Sequence, residues 1–174
     1  MSEYAIPKGW HAAGSHPSEY WMGVDPSVSD VAGSSATLKA KVAEASGFGT
    51  LMQMILANEY RGKRIRFSAN VKGSDIGEWA GLWMRVDAGG RSLQFDNMQD
   101  RAVKGTTGWS RHDVVLDVPE ESDAIAFGVL LSGTGQVWIN APCFEPVGED
   151  VPTTSLTHSE PLEPVNLELR AGDA

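Results

Sequence analysis

The chain is short of almost everything that marks a disulfide-stapled, nucleic-acid-binding or membrane-spanning protein. It has one cysteine in 174 residues, Cys143, so an internal disulfide is excluded. Basic residues are few, 14 Lys and Arg against 23 Asp and Glu, for a formal net charge of -9. A surface of that sign repels phosphate backbones, so no nucleic-acid partner is expected. The only close basic group, Arg61, Lys63, Arg64 and Arg66, reads as a charged strand edge that blocks unwanted pairing. No run approaches the roughly 18 apolar residues of a membrane span, and residues 1–10 lack the apolar stretch of a signal peptide. These absences predict a cytoplasmic protein without a membrane partner. Helical periodicity is scarce too: residues 58–61 and 119–121 could each close one turn.

What the chain does have is punctuation and alternation. Nineteen glycines and nine prolines cut it into short pieces. Between them apolar and polar residues alternate with the period of two that marks a strand. Residues 64–71 are the clearest case: Ile65, Phe67, Ala69 and Val71 point one way, and Arg64, Arg66, Ser68 and Asn70 the other. Similar strands are expected at 20–25, 36–42, 50–57, 79–86, 92–96, 111–118, 124–131 and 136–139, with turns at 88–90, 105–108 and 132–135. Short strands at this spacing predict an all-β fold, a two-sheet antiparallel β-sandwich or jelly roll, over residues 1–147. Residues 148–164, rich in Pro, Thr, Ser and Glu, read as an extended linker. In 165–174 the alternation returns at Val165, Leu167 and Leu169. That segment is expected to pack back as a strand on its own domain, or on a neighbour as a homodimer.

Strand parity also indicates which side chains face outward. In 79–86, Ala80, Leu82, Met84 and Val86 suit a core, leaving Trp79, Gly81, Trp83 and Arg85 outside. In 124–131, Ile125, Phe127, Val129 and Leu131 suit the core, leaving Ala126, Gly128 and Leu130 outside. In 50–57, Met52, Met54 and Leu56 are assigned to the core and Leu51, Gln53 and Ile55 to the outer face. If these strands share a sheet, its outer face carries Trp83, Arg85, Gln53 and Leu130 over a glycine floor at Gly128. An apolar face with a few fixed polar groups resembles a ligand groove; the alternative is a face covered by a loop or the tail. The dense polar loop that follows adds Asp96 and Met98 to the ligand-binding candidates.

Catalytic and metal signatures are missing. There is no nucleophile elbow, phosphate loop or paired cysteine ligand, and His11 and His16 lack helical metal-binding spacing, so no cofactor or metal is expected. Acid–base chemistry without a motif would fall to Asp96, Arg85 and His11, with Asp100 nearby. A carboxyl set against apolar walls has a raised pKa suited to proton transfer. Cys143 reads as a small buried hydrophobe, and His112 as a surface residue.

Four stretches carry a resemblance: Trp79-Ala80-Gly81-Leu82-Trp83-Met84-Arg85-Val86-Asp87, Phe95-Asp96-Asn97-Met98, Lys104-Gly105-Thr106-Thr107-Gly108-Trp109 and the run from Phe127 to Trp138. Together they resemble the galactose-binding-like jelly-roll modules that bacteria append to helix-turn-helix transcriptional regulators and to some hydrolases. The resemblance covers about residues 10–147 and implies a carbohydrate or other small-molecule ligand. Three features depart from the pattern. The acids of a closing Val-Trp-x-Asp-Asp are replaced in Val137-Trp138-Ile139-Asn140-Ala141, so calcium is not implied. The opening Asn-Leu-Asp-Phe-Glu strand is missing, while Asn166-Leu167-Glu168-Leu169 stands at the other end. Within these 174 residues no regulator or hydrolase domain accompanies the module. Two functions follow: a binding module in which Trp83 stacks on a ring and Arg85, Gln53 and Asp96 hydrogen-bond it, or a stand-alone isomerase or cyclase using the same groove.

Overall fold

The computed structural model describes residues 4–30 and 33–155, together with Leu167 and Leu169. Nine strands form among these residues: β1 (His11–Gly14), β2 (Tyr20–Asp30), β3 (Gly33–Ala40), β4 (Phe48–Leu56), β5 (Arg64–Ala88), β6 (Arg91–Asp96), β7 (Val103–Asp117), β8 (Ala124–Ser132) and β9 (Gln136–Val147). Single 3-10 turns, Pro17–Glu19 and Gln99–Arg101, are the only helical pieces described. No described helix is long and apolar enough to cross a membrane.

The long β5 joins two layers. Its first half pairs with β9 and β7, giving a sheet in the order β2-β3-β9-β5-β7. Its second half pairs with β8 and β6, giving β1-β4-β8-β5-β6. All pairings are antiparallel. The switch occurs where the β5–β7 register shifts repeatedly between Val71 and Ala80, around Asp75 with its positive φ of 51°. Bulges of this kind bend a strand out of one sheet and into another.

The core lies between the layers. Ile65, Phe67, Leu116, Leu38 and Val137 come from the first sheet, and Leu51, Leu82, Met84, Ile125 and Leu131 from the second. The assignments made from alternation in 64–71, 79–86 and 124–131 agree with this burial. That for 50–57 is reversed. Leu51 is fully buried and Ile55 packs on the core, whereas Met54 and Leu56 are 52% and 72% exposed. Apolar residues occupy both faces of β4, so its pattern contained no parity signal. The turn expected at 105–108 lies inside β7, and four-residue β1 was not anticipated. Cys143 is half-buried rather than enclosed, and His112 is half-buried rather than superficial.

The stretch read as a linker begins by lining the sheet edges. Thr154 N donates to Val115 O at 2.9 Å, Val115 N donates to Thr154 Oγ1 at 2.8 Å, and Ser155 Oγ donates to Gln94 Oε1 at 2.8 Å. The two bonds to Val115 occupy edge groups of β7 that would otherwise offer a template for pairing. The strand expected at 165–169 lies outside the described residues except for Leu167 and Leu169, both exposed.

Candidate ligand groove

The outer face of the second sheet is built from rows of facing residues. Met52, Gly128 and Trp83 stand side by side across β4, β8 and β5. Thr50, Leu130 and Gly81 form the row on one side, and Met54, Ala126, Arg85 and Phe95 the row on the other. Gly128 is required by close approach: a Cβ there would collide with the Leu51 carbonyl oxygen and lie 2.8 Å from Met52 Cα. Met52, Trp83, Ala126 and Leu130 form a second apolar cluster, separate from the core, with Ala13, Trp79 and Phe95 packed on it.

Above this cluster is a groove of about 540 Å³. Its walls include Phe48, Met52, Trp79, Trp83, Phe95 and Leu130; its polar side chains are Thr50, Arg85, Asn97 and Ser132. Trp83 is only 7% exposed. Its Nε1–H donates to Thr50 Oγ1 at 2.8 Å, and Thr50 donates to the Val129 carbonyl at 2.8 Å, which fixes the indole plane. Arg85 donates through Nε to both Asp87 oxygens at 2.9 Å. Its Nη groups have no partner among the described residues. Asn97 Oδ1 accepts from Gln99 N at 3.1 Å, leaving its amide nitrogen as a donor. Ser132 has already donated its proton to Glu78 Oε2 at 2.8 Å.

The sequence-derived candidates divide. Trp83, Arg85 and Leu130 line the groove, and Gly128 underlies it in the Met52–Trp83 row. Gln53 does not: it lines a different cavity of about 350 Å³ with Tyr60, Cys143 and Phe144, the consequence of the reversed β4 parity. Asp96 also faces away. Opposite Arg85 stands Phe95, so Asp96 falls on the inward side with Met84. It is fully buried, paired with Arg101 Nη2 at 2.5 Å, and accepts the Met98 amide at 2.9 Å. Met98 is buried in the core, where its sulfur accepts the Leu82 amide at 3.2 Å. His11 stands opposite Met52 on β1, exposed and outside the lining. Asp100 is exposed and paired with Arg101. The groove residues that the sequence did not single out include Phe48, Thr50, Met52 and Phe95, which face the same side as Trp83 and Arg85 from β4 and β6, and Asn97 just past the end of β6. No Asp, Glu, His or Cys is among the described lining residues. No described cluster of three such residues could hold a metal.

The outer face of the first sheet is built differently. Asp25, nearly buried, accepts from Trp138 Nε1 at 3.0 Å and from the Ser27 hydroxyl at 2.6 Å. Burial raises its pKa, but the Ser27 and Trp138 hydrogen bonds with the Lys39 charge outweigh that and hold it below the ordinary value. Arg111 reaches Ser68, Asn70 and the Ala141 carbonyl, and Arg66 pairs with Glu145.

Comparison with known proteins gives the fold a name. The CBM22-1 xylan-binding domain of Paenibacillus barcinonensis Xyn10C superposes with a TM-score of 0.59 at 14% identity, over 83% of this chain and 90% of that domain. This is a galactose-binding-like jelly roll. The same fold occurs in the Stig cyclase Fisc of Fischerella sp. TAU, solved in complex with (3Z)-3-(1-methyl-2-pyrrolidinylidene)-3H-indole, with a TM-score of 0.56 at 14% identity over 85% of this chain and 91% of the cyclase. In sequence, the jelly-roll chain is 46% identical over 164 residues to the uncharacterized HTH-type transcriptional regulator YbfP of Bacillus subtilis (strain 168). That match covers 92% of the chain but 56% of YbfP, so the chain spans little more than half of its relative. No known protein-family profile matches it.

Proposed function

We propose that the chain is a binding module that holds a small-molecule or carbohydrate ligand in the groove on the outer face of its second sheet. One observation carries this reading: an apolar groove of about 540 Å³ contains an indole fixed in plane by Thr50 and a guanidinium whose Nη groups are unused. Ligand sites combine apolar walls with a few oriented polar groups in this way. The xylan-binding domain makes sugars the first class to test. The relation to YbfP points to a setting in which ligand binding is read out as transcriptional control, with the groove as the effector site.

The cyclase of the same fold favours a second reading, in which the groove orients a flexible substrate for ring closure or isomerisation. The lining argues for binding first, because Asp96 and His11 lie outside it and Arg85, always protonated, is a poor proton shuttle. Calorimetry with a panel of oligosaccharides and small ring compounds, on the wild type and on Trp83→Ala and Arg85→Gln, tests both readings. Saturable binding weakened by both substitutions, with the compound recovered unchanged, supports a binding module. A product in the recovered material would favour the cyclase reading, and binding indifferent to both substitutions would remove the groove from the account.

A further inference from the structure

Resting on that groove reading, we infer that the ligand is a flat, largely apolar ring system carrying a carboxylate, rather than a polyhydroxylated sugar. The argument is a count of what the groove leaves unsatisfied. Each sugar hydroxyl donates as well as accepts, so a site that encloses a sugar must supply acceptors beside its donors. Here the free side-chain groups are mainly donors: the Nη groups of Arg85 and the amide nitrogen of Asn97. The Thr50 oxygen already accepts from Trp83 and gives its proton to Val129. Ser132 has given its proton to Glu78 and keeps only accepting capacity. The remaining surface is two tryptophans, two phenylalanines, Met52 and Leu130. Sugar hydroxyls turned toward these walls would meet carbon and lose their water without replacement.

A ring carboxylate meets the opposite fate. Its ring faces lie against aromatic and aliphatic walls. Its acceptor-only oxygens match the guanidinium fork, which binds carboxylates through two parallel N–H donors. Asp87 orients this fork without blocking it. It occupies Nε alone, through both oxygens at 2.9 Å, so it holds the guanidinium in place and leaves the Nη edge open.

The test is calorimetry on the full chain with three probes: indole-3-acetate, the near-isosteric neutral indole-3-acetamide, and a neutral xylo-oligosaccharide. Charge-assisted hydrogen bonds should make the acetate bind roughly tenfold or more tighter than the amide. Added salt should weaken the acetate and leave the amide unchanged. Arg85→Gln should erase the difference between them, and Arg85→Lys should restore only part of it. Trp83→Phe should weaken both ligands together. An amide that binds as tightly as the acetate, or a sugar that binds more tightly and depends on Trp83, would overturn the carboxylate assignment while keeping the groove. Binding of any probe that ignores Trp83 and Arg85, or no saturable binding by any of them, would overturn it as well, the former taking the groove reading with it.

Discussion

The outer faces of the two sheets each carry a tryptophan whose ring N–H reaches across one intervening strand: Trp138 over β3 to Asp25 on the first sheet, and Trp83 over β8 to Thr50 on the second. Around Trp138 the residues are polar, and the charged ones are spent on neighbours. Lys72 lies 5.4 Å from the ring centroid, Gln136 donates to Thr37, and Arg111 is spent on three separate acceptors. Around Trp83 the neighbours are apolar, and the one arginine keeps its Nη groups free. The contrast separates a polar face from the apolar face proposed to bind within one fold. The first pairs its charged groups internally, although Asn140 and the Ser35 hydroxyl, buried in the same sheet, have no hydrogen-bond partner among the described residues. The second holds partly exposed donors in reserve among carbon.

Substitutions can break or sharpen this contrast. The largest effect is expected at Asp96, which lies on the inward side despite its place beside the groove strands. Asp96→Ala removes the buried partner of Arg101, which keeps Asp100 and the Asp113 carbonyl, and leaves the Met98 amide without its acceptor; it should cost about 1.5–3 kcal/mol in denaturant unfolding. The molecules that remain folded should bind ligand as before. Lost binding at unchanged stability would put Asp96 on the groove side.

Next comes Trp138→Phe, which keeps the ring and deletes one donor to Asp25. A loss of about 1–2 kcal/mol is expected in the same assay. The pH dependence should change with it. The folded-state pKa of Asp25 is depressed, so its contribution to stability is present above its unfolded-state value and is lost as pH falls through the lower, folded-state value. Removing the Trp138 donor should move the acid-unfolding arm to higher pH, as followed by thermal melts across the acid range.

Arg85→Gln should change stability by less than about 0.5 kcal/mol, since its pair with Asp87 is partly exposed. It should nonetheless weaken ligand binding. A large unfolding effect would mean that this arginine serves the fold.

The smallest effect is expected at His112, near the Arg101 pair. Burial first, and the Arg101 charge second, hold its imidazole below the ordinary histidine value, against a smaller upward pull from Asp113. The unfolded chain therefore takes up a proton at higher pH than the folded one, and stability should decline as pH falls through the ordinary histidine range, then level off below the folded value. His112→Asn should flatten that slope in a melting series.

Much of this architecture was legible because most strands obey one parity. In 64–71 a clean apolar row stands against a polar one, and in 79–86 and 124–131 an unbroken apolar row stands against one interrupted by Gly81, Arg85, Ala126 and Gly128; the unbroken rows are the ones in the core. Parity failed where the outer face is itself apolar. In β4, Leu51, Met52, Met54 and Ile55 are interchangeable to any pattern, and the groove is the reason, since Met52 is needed outside as much as Leu51 is inside. The same step sent Gln53 to the wrong cavity. Asp96 was misplaced for a different reason. Its register is set by pairing with Met84, a long-range fact that the local polar run 96–101 does not encode. Trp83, Arg85, Leu130 and Gly128 were accessible from sequence because they sit on the two strands with unambiguous alternation.

The central claim is that ligand meets the second sheet and leaves the first alone. The most direct measurement follows the indole N–H resonances of the six tryptophans in a 15N-labelled chain during titration with a bound ligand. Trp83 and Trp79, which line the groove, should shift and saturate together, while Trp21 and Trp138 on the first sheet stay still. Shifts at Trp21 and Trp138 with Trp83 unmoved would contradict the account and transfer the site to the opposite face.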